Sequence, residues 1–96
     1  MNYSALISAL ITVESGGQDM AIGDGNRAIG SLQIHKGVVE DVNRFSGTHY
    51  THNQMTNRVA ARLEHSLKTA VPGDNTAQRH IRALRRELSF YQPKAV

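Results

Sequence analysis

Apolar residues recur at helical spacing along most of the chain, and this spacing predicts a mainly α protein. In the first segment, about 3–14, four residues fall at i, i+3, i+4 and i+7 and therefore share one face of a helix: Ile7, Leu10, Ile11 and Glu14. Ser4 is the expected N-cap, and Gly16 or Gly17 is the expected left-handed residue that ends the helix.

Two central segments continue the helical pattern. Residues 31–45 predict one short helix or two, and a capping-box pair, Thr51 and Gln54, introduces a longer helix of about 52–69. The apolar residues expected to be buried in these segments are Val38, Val39, Val42, Phe45, Met55, Val59, Leu63 and Leu67.

A last helix is predicted for about 76–91, capped by Asn75 or Thr76. One side of it is apolar, with Ile81, Leu84, Leu88 and Tyr91, and the other is basic, with Arg79, Arg82, Arg85 and Arg86. Two interpretations of the basic side have equal weight. It is a solvated outer face, or it binds an acidic protein or another polyanion.

The segment between the first two helical patterns is rich in glycine, and its centre, Gly-Asp-Gly-Asn-Arg, is typical of a tight turn. We expect a short β-hairpin, or an irregular loop, around residues 20–30. The predicted fold class is therefore mainly α, with four or five helices and at most a small β element. A length of 96 residues without an internal repeat predicts one domain, 1–96.

Charge and composition limit the kinds of partner and cofactor. Residues 1–74 carry a net charge of −1 and residues 75–96 carry +4, so the basic character belongs to the last helix. The chain has no cysteine, which excludes disulfides and thiolate metal sites. No base-reading motif surrounds the arginines, so sequence-specific nucleic-acid binding is not expected.

Features of a secretory or membrane protein are missing from the pattern. A signal peptide would require a Lys or Arg near the N-terminus, but none precedes Arg27. No apolar run approaches the roughly 20 residues that span a bilayer. We therefore expect cytoplasmic synthesis, and access to any extracytoplasmic target by another route, as for a phage-encoded protein.

Glu14 is the residue whose placement calls for an explanation. It extends the apolar stripe of the first helix, so its carboxylate is expected to emerge, partly buried, where the core meets a cleft or the surface. A carboxylate in the last helical turn opposes the helix dipole, at a cost of several tenths of a kcal/mol. The position suits a general acid. The alternative is a side chain that reaches past the helix end to water or to a loop amide.

Two sequence blocks around Glu14 carry a family resemblance. Glu14-Ser15-Gly16-Gly17 is followed, after about a dozen residues, by Gly30-Ser31-Leu32-Gln33-Ile34. This combination resembles the lysozyme-like superfamily, specifically its lytic transglycosylase and goose-type lysozyme branch, over about residues 5–45. The resemblance implies a small lysozyme-like helical domain. It also implies that Glu14 is the catalytic acid, that Ser15 helps to position it and that Gln33 lines the substrate cleft.

The implied reaction is cleavage of the β-1,4 bond between N-acetylmuramic acid and N-acetylglucosamine in peptidoglycan, without a cofactor. In lytic transglycosylases, one Glu protonates the leaving oxygen and then accepts the proton of the muramic C6 hydroxyl as that oxygen closes onto C1. A hydrolase would need a second carboxylate. Asp24, in the turn between the two blocks, is the candidate for that role, with an ordinary turn residue as the alternative.

The chain departs from the family after the second block. The family's downstream Asn-Ala-Gly or Asn-Gly-Gly motif is absent, although Arg-Phe-Ser-Gly-Thr-His-Tyr at 44–50 has similar residue types. Two explanations remain open. A second copy of the chain completes the groove, as a homodimer, or the protein is a weakly active or inactive scaffold that binds or inhibits a partner through its basic last helix.

The five histidines raise the question of a metal site. His49 and His52 stand at i, i+3, but no third histidine or carboxylate follows at ligand spacing, and the zinc motif HExxH is absent. We therefore expect no metal.

Overall fold

The computed structural model describes residues 3–90, and over this range the protein is mainly helical. Four α-helices, a 3-10 helix and three two-residue strands follow one another along the chain. In order, they are α1 (Tyr3–Ser15), β1 (Ile22–Gly23), β2 (Ala28–Ile29), β3 (Ile34–His35), α2 (Lys36–Ser46), the 3-10 helix (His52–Thr56), α3 (Arg58–Thr69) and α4 (Asn75–Ser89). The predicted mainly α class with a short hairpin is confirmed.

Helix α1 buries the stripe that its sequence predicts, with Tyr3, Ile7 and Ile11 in the core. It begins at Tyr3, so Ser4 lies inside the first turn and does not cap the helix; the hydroxyl of Ser4 instead accepts a 3.4 Å hydrogen bond from Arg62. The end of α1 is as predicted. Gly16 and Gly17 adopt left-handed φ angles of 63° and 85°, which lets their amides bond to the last carbonyls of the helix.

The small sheet contains one strand more than the predicted hairpin. Strands β1 and β2 form the hairpin, and β3 adds to β2, again antiparallel, so that Ile34 lies opposite Ile29. The prediction of a helix from residue 31 is wrong for the first five positions. The φ angles of Gly30, 86°, and Gln33, 49°, are left-handed and interrupt helical geometry there.

Helix α2 is shorter than predicted and does not bury all of its apolar side chains. Val39 and Val42 are buried and Val38 partly so, but Phe45 is 63% exposed. Phe45 lies in the last turn, and the helix ends one residue later, before Gly47 at φ 66°. The apolar stripe thus continues beyond the packed surface.

The predicted helix 52–69 is divided in two. The capping box of Thr51 and Gln54 is present, but it begins a 3-10 helix that ends at Thr56. Asn57 then takes an extended conformation, and its side-chain oxygen accepts hydrogen bonds from the amides of Val59 and Ala60. Because Asn competes for these amides, it starts a new helix, α3, instead of continuing the old one.

Helix α4 is capped by Asp74, whose carboxylate accepts from the amides of Thr76 and Ala77, and not by Asn75 or Thr76 as predicted. Ile81, Leu84 and Leu88 are buried, as expected, while Tyr91 lies outside the described residues.

The core lies where α1, α3 and α4 meet the 3-10 helix. Its fully buried side chains include Ile7, Met55, Leu63 and Leu84. Arg58, at the start of α3, ties the loop after α1 to this core: its guanidinium donates to Asp19, at 2.6 Å, and to the carbonyl of Gly17. Within residues 3–90, none of the helices combines the length and the apolar character that a bilayer crossing needs.

The segment from β2 to β3 packs directly on the 3-10 helix at Gly30. A Cβ at this glycine would lie 1.8 Å from the carbonyl oxygen of Met55, which is backbone and buried. We predict that Gly30→Ala lowers the free energy of unfolding by roughly 3 kcal/mol or more, because steric conflict adds to left-handed strain. Gly25→Ala, at φ +60° with open space around it, has only the strain, about 1–2 kcal/mol. Chemical denaturation of both variants checks this; equal losses would contradict it.

Candidate active site

Glu14 and Gln33, the two residues at the centre of the family resemblance, line the same cavity. The cavity has a volume of about 340 Å³ and lies between the end of α1, strand β3 and the outer face of α3. Its apolar part is formed by Leu10, Leu32, Ile34 and Val38, and its polar part by Glu14, Gln33, His35, His65 and Lys68. A pocket of this size, which combines an apolar part with convergent polar groups, is at the lower end of the size range for small-molecule sites.

Glu14 occupies the last turn of α1 and is exposed, so the expectation of a partly buried carboxylate is wrong. The apolar stripe carries it to the edge of the core, as predicted. Its carboxylate lines the cavity while the residue remains open to solvent.

Helix α3 contributes two polar residues that the sequence does not single out for this site, His65 and Lys68. They are three positions apart and therefore share a face of the helix. Burial lowers the pKa of His65, the Lys68 charge lowers it further, and Glu14 opposes this shift. The imidazole is thus neutral at pH 7 and can donate and accept hydrogen bonds. The i, i+3 spacing of His65 and Lys68 can be seen in the sequence, but no local sequence pattern shows that this face of α3 lies near Glu14.

Gln33 forms part of the cavity wall, and its amide is already bonded to the protein. Its Nε2 donates to the carbonyls of Gly30, at 3.0 Å, and Ala21, at 3.2 Å. Its Oε1 lies against Gly23 so closely that a Cβ there would come within 2.3 Å of it. Gln33 thereby holds the hairpin against the segment 30–33 and gives the wall a fixed shape.

Ser15 fastens the end of α1 to the same segment. Its hydroxyl lies 2.8 Å from the carbonyl oxygen of Ser31 and 3.1 Å from that of Ile11, and it accepts a hydrogen bond from the amide of Gln18. Ser15 is not among the residues that line the cavity. Its bond to Ser31 fixes the end of α1, on which Glu14 lies, against this segment.

Asp24 is not brought into the cavity either. It lies in the hairpin turn with a φ of 50°, and its carboxylate is 3.3 Å from Nε2 of His35. His35 does line the cavity. Asp24 can thus orient one wall residue, but the structure does not place its carboxylate opposite Glu14 as a hydrolase would require.

The four arginines of α4 do not form one surface. Arg79, Arg82 and Arg86 line a shallow depression of about 250 Å³. Arg85 is not among these residues, but its charge acts on Tyr50: burial raises the pKa of Tyr50, and the Arg85 charge opposes that increase. Among residues 3–90, no group of three His, Cys, Asp or Glu side chains is arranged to hold a metal ion.

Comparisons with protein-family models, with characterised proteins and with solved structures give no match for this chain.

A second carboxyl group, Glu64, is buried inside the fold and was not expected from the sequence. It is 0% exposed on α3, and within residues 3–90 neither of its oxygens has a hydrogen-bond partner. Burial raises its pKa to about 7. Glu64 does not line the Glu14 cavity. Its effect is expected on stability, because an ionised carboxylate without a partner is costly to bury.

We predict that Glu64 makes the fold less stable as the pH rises. The pKa of Glu64 is raised from 4.5 to about 7 in the folded protein. The folded state therefore keeps this proton to higher pH, and stability is lost between about pH 4.5 and pH 7 or above, by roughly 3 kcal/mol in total. In Glu64→Gln this loss is absent.

The pH dependence of stability must be compared between wild type and variants, because burial also lowers the pKa values of His65 and His80. These shifts give stability the opposite dependence on pH. Denaturant unfolding of wild type, Glu64→Gln and Glu40→Gln, an exposed glutamate, at pH 5, 6, 7 and 8 isolates the Glu64 contribution. Parallel pH profiles for wild type and Glu64→Gln would contradict the prediction.

Proposed function

We propose that this protein cleaves the β-1,4 bond between N-acetylmuramic acid and N-acetylglucosamine in peptidoglycan, with Glu14 as general acid and base. The observation that supports this most is that Glu14 and Gln33, which the sequence resemblance pairs across a variable loop, line one cavity. The apolar wall and the donors of His65 and Lys68 suit a sugar ring with hydroxyl and acetamido groups.

The carboxylates around the cavity favour transglycosylation over hydrolysis. Among the described lining residues, Glu14 is the one carboxylate; Asp24 and Glu64 are not in the wall. In the one-carboxylate route, Glu14 gives its proton to the leaving oxygen as the C1–O bond breaks. It then takes the proton of the C6 hydroxyl as that oxygen bonds to C1. The products are an anhydromuramic end and a free N-acetylglucosamine end.

The size of the cavity bears on how the glycan is held. A volume of about 340 Å³ accommodates about one sugar, whereas positioning a strand draws on contacts along several. We propose that a second copy of the chain supplies the remaining wall. Val13, Met20 and Ile22, which are near Glu14 in sequence, are large apolar side chains that stay exposed and that a partner would cover. A weakly active monomer is the alternative, and solution mass distinguishes the two.

We predict that Glu14→Gln lowers the rate of glycan cleavage by about 10²-fold or more, because general acid–base catalysis contributes about 10²–10⁴-fold. The measurement is the release of muropeptides from purified cell walls, separated by chromatography and identified by mass. The anhydro product distinguishes transglycosylation from hydrolysis.

Glu40→Gln is the matched control, since Glu40 is an exposed glutamate on α2 outside the cavity, and it should keep the wild-type rate. Circular dichroism establishes that both variants are folded. Equal release by wild type and Glu14→Gln, or no release by either, would remove the enzyme proposal.

The arginine depression on α4 favours a second candidate function, binding of a polyanion by a scaffold without turnover. Arg79, Arg82 and Arg86 line it together, and within residues 3–90 none of them forms an ion pair. Three cations on one helix face, without carboxylates to neutralise them, attract a chain of negative charges.

We predict that Arg82→Glu weakens the binding of inorganic polyphosphate, because Arg82 is the middle residue of the three. The slope of log affinity against log salt concentration should fall by about 1. Arg44→Glu, the same charge reversal at an exposed arginine of α2, should leave the slope unchanged. Fluorescence titration at several salt concentrations measures it; the same loss in both variants would indicate net charge alone and count against the α4 surface.

A further inference from the structure

A second cavity, of about 340 Å³, shares His35 with the Glu14 cavity. It is lined by Asn26, Arg27, His35, Lys36, Gly37 and His52. The two cavities are therefore adjacent, and a ligand that filled both would contact this histidine. We call this second space the Arg27 cavity.

The Arg27 cavity is positively charged. The guanidinium of Arg27 has no ion pair or hydrogen bond within residues 3–90, and Lys36 has only a 3.9 Å contact with Glu40. No carboxylate is among the described lining residues. The nearest ones, Asp24 and Glu40, contact His35 and Lys36 and are 60% and 59% exposed. A guanidinium in such a position suits a carboxylate, which it can bind with two parallel hydrogen bonds.

His52 adds an acceptor to these donors. Nε2 of His52 lies 2.7 Å from the carbonyl oxygen of Ile34, so this nitrogen carries the proton and donates it. Nδ1 of the neutral ring is then an acceptor. Nε2 of His35 lies 3.3 Å from the carboxylate of Asp24, to which it can donate. An acidic peptide carries both carboxylates for the cations and amide N–H groups for an acceptor, whereas sulfate carries no donor.

We propose that the Arg27 cavity binds the acidic stem peptide of the muramic acid residue held beside Glu14, with Arg27 pairing a peptide carboxylate. This inference rests on the proposed function, since it takes peptidoglycan as the substrate. Within peptidoglycan, the peptide hangs from the muramic acid itself, so a peptide site must lie next to the sugar site. The shared wall at His35 meets this requirement. The protein is thereby selective for glycan that still carries its peptides.

The test compares binding of three glycan fragments of equal sugar length to the Glu14→Gln protein, which leaves them intact. One fragment carries the stem peptide, one carries the peptide with its carboxylates amidated, and one has been stripped of peptide. We expect the acidic peptide to improve affinity by roughly tenfold or more over the other two, as a charge-assisted pair does. Calorimetric titration measures all three.

Arg27→Gln in the same background should remove the preference, and Lys36→Gln should reduce it. Arg44→Gln, an exposed arginine on α2, should keep it. Arg27 is exposed, so its substitution is not expected to unfold the protein, and thermal melting checks this. Equal affinity for the three fragments, a preference that survives Arg27→Gln, or no binding of any fragment would each overturn the inference.

Turnover by the wild-type protein separates this result from the proposed function. Cleavage of stripped and peptide-bearing strands at the same rate, with both rates lost in Glu14→Gln, would leave the enzyme in place and overturn the peptide site. A peptide preference in binding without cleavage by wild type would support the peptide site and overturn the catalytic role. Absence of both binding and cleavage would overturn both.

Discussion

The candidate site depends on one hydrogen bond, from the hydroxyl of Ser15 to the carbonyl oxygen of Ser31, at 2.8 Å. This bond joins the end of α1, which carries Glu14, to the segment that carries Gln33. Two other contacts support it from outside. Gly30 presses its backbone on Met55, and Arg58 holds the loop that follows α1. These attachments add to the shared apolar core of Ile11, Leu32 and Ile34, which also holds this segment against the helix.

Helices whose position follows from local apolar spacing were predicted well from the sequence. Boundaries that depend on tertiary contacts or on the conformation of a single residue were predicted less well. The stripe of Ile7 and Ile11 and that of Ile81, Leu84 and Leu88 are buried as expected. Asn57 divides a helix that looks continuous by periodicity, because its side chain captures the amides of the next turn. Gln33 takes a left-handed φ that favours glycine or asparagine, and so the start of α2 and the strand β3 were not foreseen.

The site shows the same division. The two sequence blocks led us to expect Glu14 and Gln33 in one cavity. The exposure of Glu14 could not be expected, since it depends on how the other elements pack around it. His65 and Lys68 lie 51 and 54 positions after Glu14 along the chain, and their spacing says nothing about what they face. Glu64 was missed for a related reason. A charged residue on a helix is normally read as solvent-facing, and only the packing around α3 shows that this one is enclosed.

The bonds of Gln33 have a consequence for the thermodynamics of ligand binding. A free glutamine would lose rotamer freedom on contact with a sugar, at a cost of about 0.5–1.5 kcal/mol. Here the side chain is already immobilised by two backbone carbonyls and by close contact with Gly23. The rotamer entropy of Gln33 is therefore lost during folding and not on binding. This part of the cavity wall is preorganised for a ligand.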